Sequence, residues 1–132
     1  MSTLWLKMIG TSDKPCPDSY DRDHVDFGPT KRPARMRPGD LLVLYAVGGA
    51  QRVFALATVT SEPYTTGHDR WAHRVNIAYE VNLPVSSGVH ITEVSTPRRD
   101  LRQSVQRQSH LELDAEEYER AASRLRQRFE RT

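Results

Sequence analysis

Apolar residues in the first two thirds of the chain recur with the spacing of β-strands. Residues 3–9 and 52–60 are rich in apolar side chains and predict one strand each. Residues 41–47 are continuously apolar, which is typical of a strand buried on both faces. Residues 74–83 alternate apolar and polar side chains and predict a half-buried strand, and a short strand is expected at 89–92.

The segments between these strands carry turn signals. Residues 11–40 form a long connection rich in proline, aspartate and arginine, in which we expect a short helix around residues 20–26. Gly48-Gly49 lies between two predicted strands, and glycine readily adopts the positive φ angles of a tight hairpin turn. Strands 41–47 and 52–60 are therefore predicted to be antiparallel neighbours.

Helical signals are confined to the C-terminal part of the chain. Thr96-Pro97 has the residue types of an N-cap and a first helical position, which predicts a short helix to about Gln106. Asp114 and Glu117 have the spacing of a capping box at the start of a longer helix. The apolar face of that helix would consist of Tyr118, Ala121, Ala122, Leu125 and Phe129. Together the elements predict an α+β fold, with a curved sheet or small barrel of five to six strands flanked by helices.

The composition fits one globular domain over residues 1–132. Hydrophobic residues make up 37% of the chain and charged residues 27%. The longest apolar run is too short to cross a bilayer and no secretory leader is recognisable, so we expect a cytoplasmic protein without a membrane partner. The single cysteine excludes an internal disulfide and a cysteine-rich zinc site. A net charge of +2 permits binding to nucleic acid without requiring it.

The common catalytic motifs are absent from the sequence. It contains no nucleophile elbow, phosphate-binding loop, dinucleotide fingerprint or zinc-protease motif. Cys16 stands between two prolines, and the five histidines lack the spacing of metal ligands. We therefore expect neither an enzyme nor a metal or cofactor site.

Arginine accounts for 16 of the 19 basic residues. Arginine binds phosphate through two parallel hydrogen bonds and stacks on bases, although a GC-rich genome explains the same bias.

Tyr64 and Trp71 bracket a polar loop, and Arg70 and Arg74 flank Trp71. Cations beside an exposed ring are typical of proteins that bind single-stranded or flipped-out bases, whereas a tryptophan here can equally plug one end of a barrel. The other basic groups are Lys31, Arg32, Arg35 and Arg37, and Arg98, Arg99, Arg102 and Arg107.

Five segments, taken in their order along the chain, resemble a known family. They are Trp5-Leu6-Lys7, residues 36–45 with Gly39-Asp40 before an apolar strand, residues 54–64, Asp69-Arg70-Trp71 followed by the strand at 75–84, and residues 105–111 followed by 114–118. Their order and spacing are similar to those of the EVE domain, a PUA-like family related to the YTH domain. The resemblance covers nearly the whole chain.

The resemblance implies a PUA-like pseudo-barrel that binds a flipped-out, modified base of DNA or RNA in an aromatic and polar pocket. The tryptophan that YTH domains place shortly before the position of Asp69 has no counterpart here, so a methyl-adenine cage of the YTH type is not expected. The base pocket implied by the family consists of Thr11, Ser12, Asp13, Tyr45, Trp71 and Gln108. The phosphate contacts would come from Arg74, Arg98, Arg99 and Arg107.

Two other functions remain open at the level of sequence. The first is an enzyme similar to the ASCH domain, acting on a small nucleoside or amide, with Lys7, Thr11 and Glu62 as residues for acid/base chemistry. The second is an interaction module whose pocket is vestigial. The sequence does not indicate the oligomeric state.

Overall fold

Eight strands and two α-helices form the regular structure of residues 2–106 and 108–131, the part of the chain that the computed structural model describes. The strands are β1 (Leu4–Ile9), β2 (His24–Phe27), β3 (Leu41–Ala46), β4 (Arg52–Val59), β5 (Tyr64–Thr65), β6 (His73–Asn82), β7 (Val89–His90) and β8 (His110–Glu112). The helices are α1 (Leu101–Ser104) and α2 (Ala115–Glu130), and short 3-10 helices lie at Val85–Ser87 and Ile91–Glu93.

The strands form one mixed sheet in the order β2-β6-β4-β3-β1-β8, with β5 paired to β6 and β7 paired to β4. The β1–β3 pair is parallel and the β3–β4 pair is an antiparallel hairpin, as its glycine turn predicts. Two extra residues, Phe54 on β4 and Glu80 on β6, interrupt the registers with the neighbouring strands. Such bulges bend and twist a sheet. The predicted α+β class, with six strands along the main path and flanking helices, is confirmed.

Both faces of the central strands are covered, which explains the unbroken apolar run in β3. On one face Tyr118 and Leu125 of α2 belong to the same buried cluster as Leu6 and Val43 of the sheet. On the other face Phe27, Met36 and their neighbours from the long 11–40 connection cover the remaining apolar side chains of the sheet. This connection is therefore part of the core.

Helix α2 begins as predicted, with reciprocal hydrogen bonds between Asp114 and Glu117. The predicted apolar face is buried at its first four positions, whereas Phe129 is 49% exposed. No helix among the described residues is long and apolar enough to cross a membrane.

Two local predictions are wrong, and one strand was not predicted. Residues 20–26 do not form a helix, because Val25 and Phe27 enter the core from β2, which pairs with β6. The helix expected after Pro97 begins only at Leu101 and is capped by Asp100. Strand β8 has no apolar alternation of its own and forms by pairing with β1.

Candidate functional site

A cavity of about 690 Å³ opens at the edge of the sheet where β1 and β3 end. Because these two strands are parallel, the segments that follow them emerge at the same edge. Segments from β2, the Trp71 loop and the chain after α1 complete the wall. The residues that line it are Lys7, Met8, Ile9, Gly10, Thr11, Ser12, Tyr20, Arg22, Asp26, Gly28, Lys31, Tyr45, Val47, Gly48, Gly49, Gln51, Trp71, Arg102, Val105, Gln106, Gln108 and Ser109.

The loop after β1 is held rigidly against the turn after β3. Gly10 has a φ of +92°, and a Cβ on it would lie 2.6 Å from the Cys16 nitrogen. Thr11 closes the loop, because its amide donates to the Lys14 carbonyl and its hydroxyl accepts from the Lys14 amide. The Cys16 amide then donates to the Val47 carbonyl. Thr11 and Ser12 are thereby fixed at the cavity wall.

Lys7 is the most unusual residue of the cavity, because it is only 4% exposed. Its Nζ lies 4.3 Å from the centre of the Phe27 ring and donates to the Met8 carbonyl at 3.0 Å. The carbonyl and hydroxyl oxygens of Ser109 are each 3.4 Å away. Burial lowers the Lys7 pKa from 10.5 to about 7, although the Asp26 carboxylate opposes the shift. The amine is therefore partly neutral near pH 7.

His110 lies opposite Lys7 in the β1–β8 register. Its ring packs edge-on to Trp5 at 5.6 Å and to Phe27 at 5.1 Å. Burial is the main reason that the His110 pKa falls from 6.5 to about 4, and the nearby positive charge of Lys7 contributes to this shift. Its buried Nδ1 has no hydrogen-bond partner among the described residues. A neutral imidazole therefore packs beside the inner wall of the cavity.

Trp71 is positioned by hydrogen bonds within its own loop. Its carbonyl accepts from the Thr66 hydroxyl at 2.5 Å, and its amide donates to His68 Nδ1 at 3.1 Å. The Arg70 guanidinium lies 5.5 Å from the centre of the half-buried Trp71 ring. The second aromatic residue expected in the pocket, Tyr45, is 6% exposed, and burial raises the pKa of its hydroxyl. Both residues line the cavity.

The structure brings together most of the residues expected at a base pocket. Thr11, Ser12, Tyr45, Trp71 and Gln108 all line the cavity. Asp13 is exposed in the same loop and is not part of the lining. Their roles in binding a base stay predictions.

The arginines expected to bind phosphate are engaged with carboxylates. Arg74 Nε donates to Asp26 at 2.6 Å, and this hydrogen bond raises the Arg74 pKa. Arg98 pairs with Asp114 at 2.6 Å. Arg107 lies outside the described residues. A phosphate role for these arginines stays a prediction, and Arg74 and Arg98 would have to exchange an internal partner for it.

Arg99 has an evident structural role at the start of α2. Its guanidinium donates to both carboxylate oxygens of Glu117, at 2.6 and 2.9 Å, and the Glu117 side chain is fully buried. A third hydrogen bond goes to the Glu112 carbonyl. The phosphate contact at Arg99 stays a prediction. The need to neutralise the buried Glu117 carboxylate is by itself a structural reason for an arginine at this position.

Other cations line the cavity. They are Arg22, Lys31 and Arg102, of which sequence reasoning did not single out Arg22 at all. Within residues 2–106 and 108–131, neither Arg22 nor Arg102 has a carboxylate within ion-pair distance. The positive charges of Arg22 and Arg102 are therefore available to an anionic ligand.

The residues proposed for acid/base catalysis are not assembled. Lys7 and Thr11 share the cavity, whereas Glu62 lies elsewhere, 4.0 Å from Arg37. Burial raises the Cys16 pKa to about 11, so the thiol is protonated at neutral pH. In the part of the chain that the structure describes, no three His, Cys, Asp or Glu residues are placed to hold a metal ion.

Known proteins share the fold of this chain. A model of the EVE domain matches residues 23–124. An NMR structure of a Rhodopseudomonas palustris protein has a TM-score of 0.65 at 18% identity, covering 92% of this chain and 91% of that one. Human THYN1, crystallised with DNA containing 5-methylcytosine, has a TM-score of 0.62 at 14% identity, covering 94% and 98%. No curated protein matches significantly in sequence. These likenesses confirm the PUA-like fold, and the family model shows that the chain belongs to the EVE domain family.

Proposed function

We propose that this protein is a nucleic-acid-binding module that takes a flipped-out, modified base of DNA or RNA into the cavity at Trp71. The observation that carries the proposal is one cavity with an aromatic wall, polar side chains on the inside and cations along its lining. Its volume of about 690 Å³ falls within the range of small-ligand sites, about 300–1,000 Å³. The THYN1 structure, which contains 5-methylcytosine DNA, supports a nucleic-acid ligand for this fold.

Each part of the cavity has a distinct task in this proposal. The Trp71 ring supplies a stacking surface, which is worth about 1–3 kcal/mol per base and tolerates any base. Thr11, Ser12 and Gln108 offer hydroxyl and amide groups to the base edge, and these hydrogen bonds give selectivity. Arg22 and Arg102 supply positive charge to the phosphate backbone of the strand, which adds a salt-dependent contribution.

Binding explains the arrangement better than catalysis does. Lys7, a residue suited to acid/base chemistry, donates to the Met8 carbonyl and lies over the Phe27 ring. Glu62, the carboxylate named with it for acid/base chemistry, lies 4.0 Å from Arg37 and does not line the cavity. We propose that Lys7 acts as a hydrogen-bond donor at the inner wall of the cavity.

The test measures the affinity of the protein for fluorescent single-stranded heptamers of DNA and of RNA. The central base of each heptamer is 5-methylcytosine, 5-hydroxymethylcytosine, N6-methyladenine or an unmodified base. Trp71→Ala should weaken binding of the preferred heptamer about 5- to 150-fold, the equivalent of one lost stacking contact. Trp71→Phe should retain most of the affinity. Phe129→Ala, at an exposed aromatic residue far along α2, is the control and should leave affinity unchanged.

Three results would contradict the proposal. Equal weak binding of every heptamer, abolished by salt and unaffected by Trp71→Ala, would reduce the site to a basic surface. No binding at all would favour an interaction module with a vestigial pocket. Turnover of a nucleoside or amide that is lost in Lys7→Ala would favour the enzyme alternative.

A further inference from the structure

A second, smaller cavity of about 260 Å³ is lined in part by residues that are close along the chain to residues of the first cavity. Two chain segments contribute to both cavities. Lys31 lines the first and Arg32 the second, and Trp71 lines the first while His73 lines the second. In an extended chain, two residues span about 7 Å. The two cavities are therefore near enough for neighbouring groups of one ligand.

Tyr64 gives the second cavity an exposed aromatic surface. It lies on the two-residue strand β5 and is 40% exposed, which makes it and Phe129 the exposed large hydrophobic residues among those described. Its hydroxyl donates to Asn76 Oδ1 at 2.6 Å, so the ring is held in place. A ring that served only the core would be buried, whereas a fixed and exposed ring is suited to stacking.

The other residues of this cavity supply positive charge. The Arg32 side chain is exposed and has no carboxylate within ion-pair distance among residues 2–106 and 108–131. The Arg37 guanidinium is held by the Ala34 and Met36 carbonyls, at 3.1 and 2.9 Å, with Glu62 at 4.0 Å. An aromatic ring beside a guanidinium matches one nucleotide, a base joined to a phosphate.

The size of the second cavity indicates what kind of ligand it takes. At about 260 Å³ it is smaller than most independent small-molecule sites. An occupant that is already tethered in the first cavity binds here at high effective concentration, so few contacts suffice. A nucleic-acid strand with one base in the first cavity provides such an occupant.

We propose that the second cavity is a subsite for the nucleotide next to the flipped-out base, whose base stacks on Tyr64 and whose phosphate contacts Arg32. This inference rests on the proposed function and adds the reading of a second nucleotide. It also explains why an exposed tyrosine lies beside an arginine that has no ion-pair partner within residues 2–106 and 108–131.

The experiment compares a heptamer with a mononucleotide. The probes are the heptamer that the wild type binds most tightly and the 5′-monophosphate of its central modified nucleoside. Tyr64→Ala should weaken heptamer binding about 5-fold or more and leave mononucleotide binding unchanged, because only the heptamer reaches the subsite. Tyr64→Phe keeps the ring and should retain heptamer affinity.

The phosphate contact has its own readout. Arg32→Ala should reduce the slope of log K against log salt for the heptamer by about 0.7, the value for one phosphate of a single strand. Arg131→Ala removes an exposed charge at the end of α2 and is the control for net charge. It should leave the slope unchanged.

The outcomes separate this inference from the function on which it rests. If Trp71→Ala loses binding while Tyr64→Ala and Arg32→Ala behave as wild type, the subsite is refuted and the base pocket stands. If Tyr64→Phe is as weak as Tyr64→Ala, stacking is refuted. If Tyr64→Ala weakens the mononucleotide and the heptamer equally, the residue only supports the Trp71 loop, and the subsite is again refuted. If the wild type binds no heptamer, both proposals are refuted.

Discussion

Replacing Lys7 by methionine should make the protein more stable at neutral pH, even though it removes a charged residue. The Lys7 side chain is 4% exposed, and its pKa falls from 10.5 to about 7 because burial disfavours the ammonium form. Methionine has a similar length and no charge to desolvate. In the wild type, folding must either bury the Lys7 ammonium group or remove its proton, and both cost free energy. Methionine has no such cost, so the variant should be more stable.

The sign and size of the effect follow from proton linkage. Between the pKa of the folded state, about 7, and that of the unfolded state, 10.5, the unfolded chain binds more protons at Lys7. The free energy of unfolding of the wild type therefore rises with pH in this window, with a limiting slope of about 1.4 kcal/mol per pH unit. From pH 7 to pH 9, after allowance for half-protonation at pH 7, the rise is about 2 kcal/mol.

The assay is urea unfolding of the wild type and Lys7→Met at pH 7, 8 and 9. The stability advantage of Lys7→Met should shrink by about 2 kcal/mol over this range. Groups that do not interact with Lys7 cancel in the difference, and His110, whose pKa does depend on the Lys7 charge, titrates well below this range, at about 4. Stability profiles that run parallel from pH 7 to pH 9 would refute the argument. An NMR titration of the Lys7 side chain with a midpoint near 10 would do the same.

Two further predictions concern the framework around the cavities. Arg99→Ala leaves the fully buried Glu117 carboxylate without its cation and should lower the free energy of unfolding by about 3–5 kcal/mol. Arg98→Ala, at a side chain that is 66% exposed, is the control and should lower it by less than about 1 kcal/mol. Equal losses of the two variants in urea unfolding would contradict this prediction. Gly48→Ala places a Cβ 2.3 Å from the Pro15 Cβ, whereas Gly49→Ala, also at positive φ, meets nothing within 4 Å. Gly48→Ala should therefore be less stable than Gly49→Ala by about 1–3 kcal/mol, and equal melting temperatures would show that Pro15 moves away freely.

The strands with a strong local pattern could be predicted from the sequence, and those that depend on a partner could not. Residues 41–47 are continuously apolar and residues 74–83 alternate between apolar and polar side chains, so each pattern alone shows which side chains are buried. Both segments form strands. Strand β8 has one apolar residue in three and exists because its backbone pairs with β1. Strand β2 formed where a short helix was expected, and only two apolar residues, Val25 and Phe27, mark it in the sequence.

The candidate site shows the same division. Tyr45, Trp71 and Thr11 were identified by the resemblance of short segments to the EVE domain, and all three line the cavity. Lys7 was given a functional role only in the catalytic alternative, because nothing local to its strand shows that the cavity lies beside it. Arg22 lies in the connection whose fold was mistaken, and its place at the cavity follows from the β2–β6 pairing.

The distribution of ion pairs explains how a chain with a net charge of only +2 carries a cationic site. Many of its carboxylates neutralise arginines outside the two cavities, as in the pairs of Glu117 with Arg99 and Glu80 with Arg126. The cavity arginines without an ion-pair partner in the described part of the chain are Arg22, Arg32 and Arg102. Local positive potential depends on which charges are unpaired, since a paired charge contributes little field at a distance. Sequence composition counts all arginines equally, so it cannot separate those that hold the fold together from those available to a phosphate.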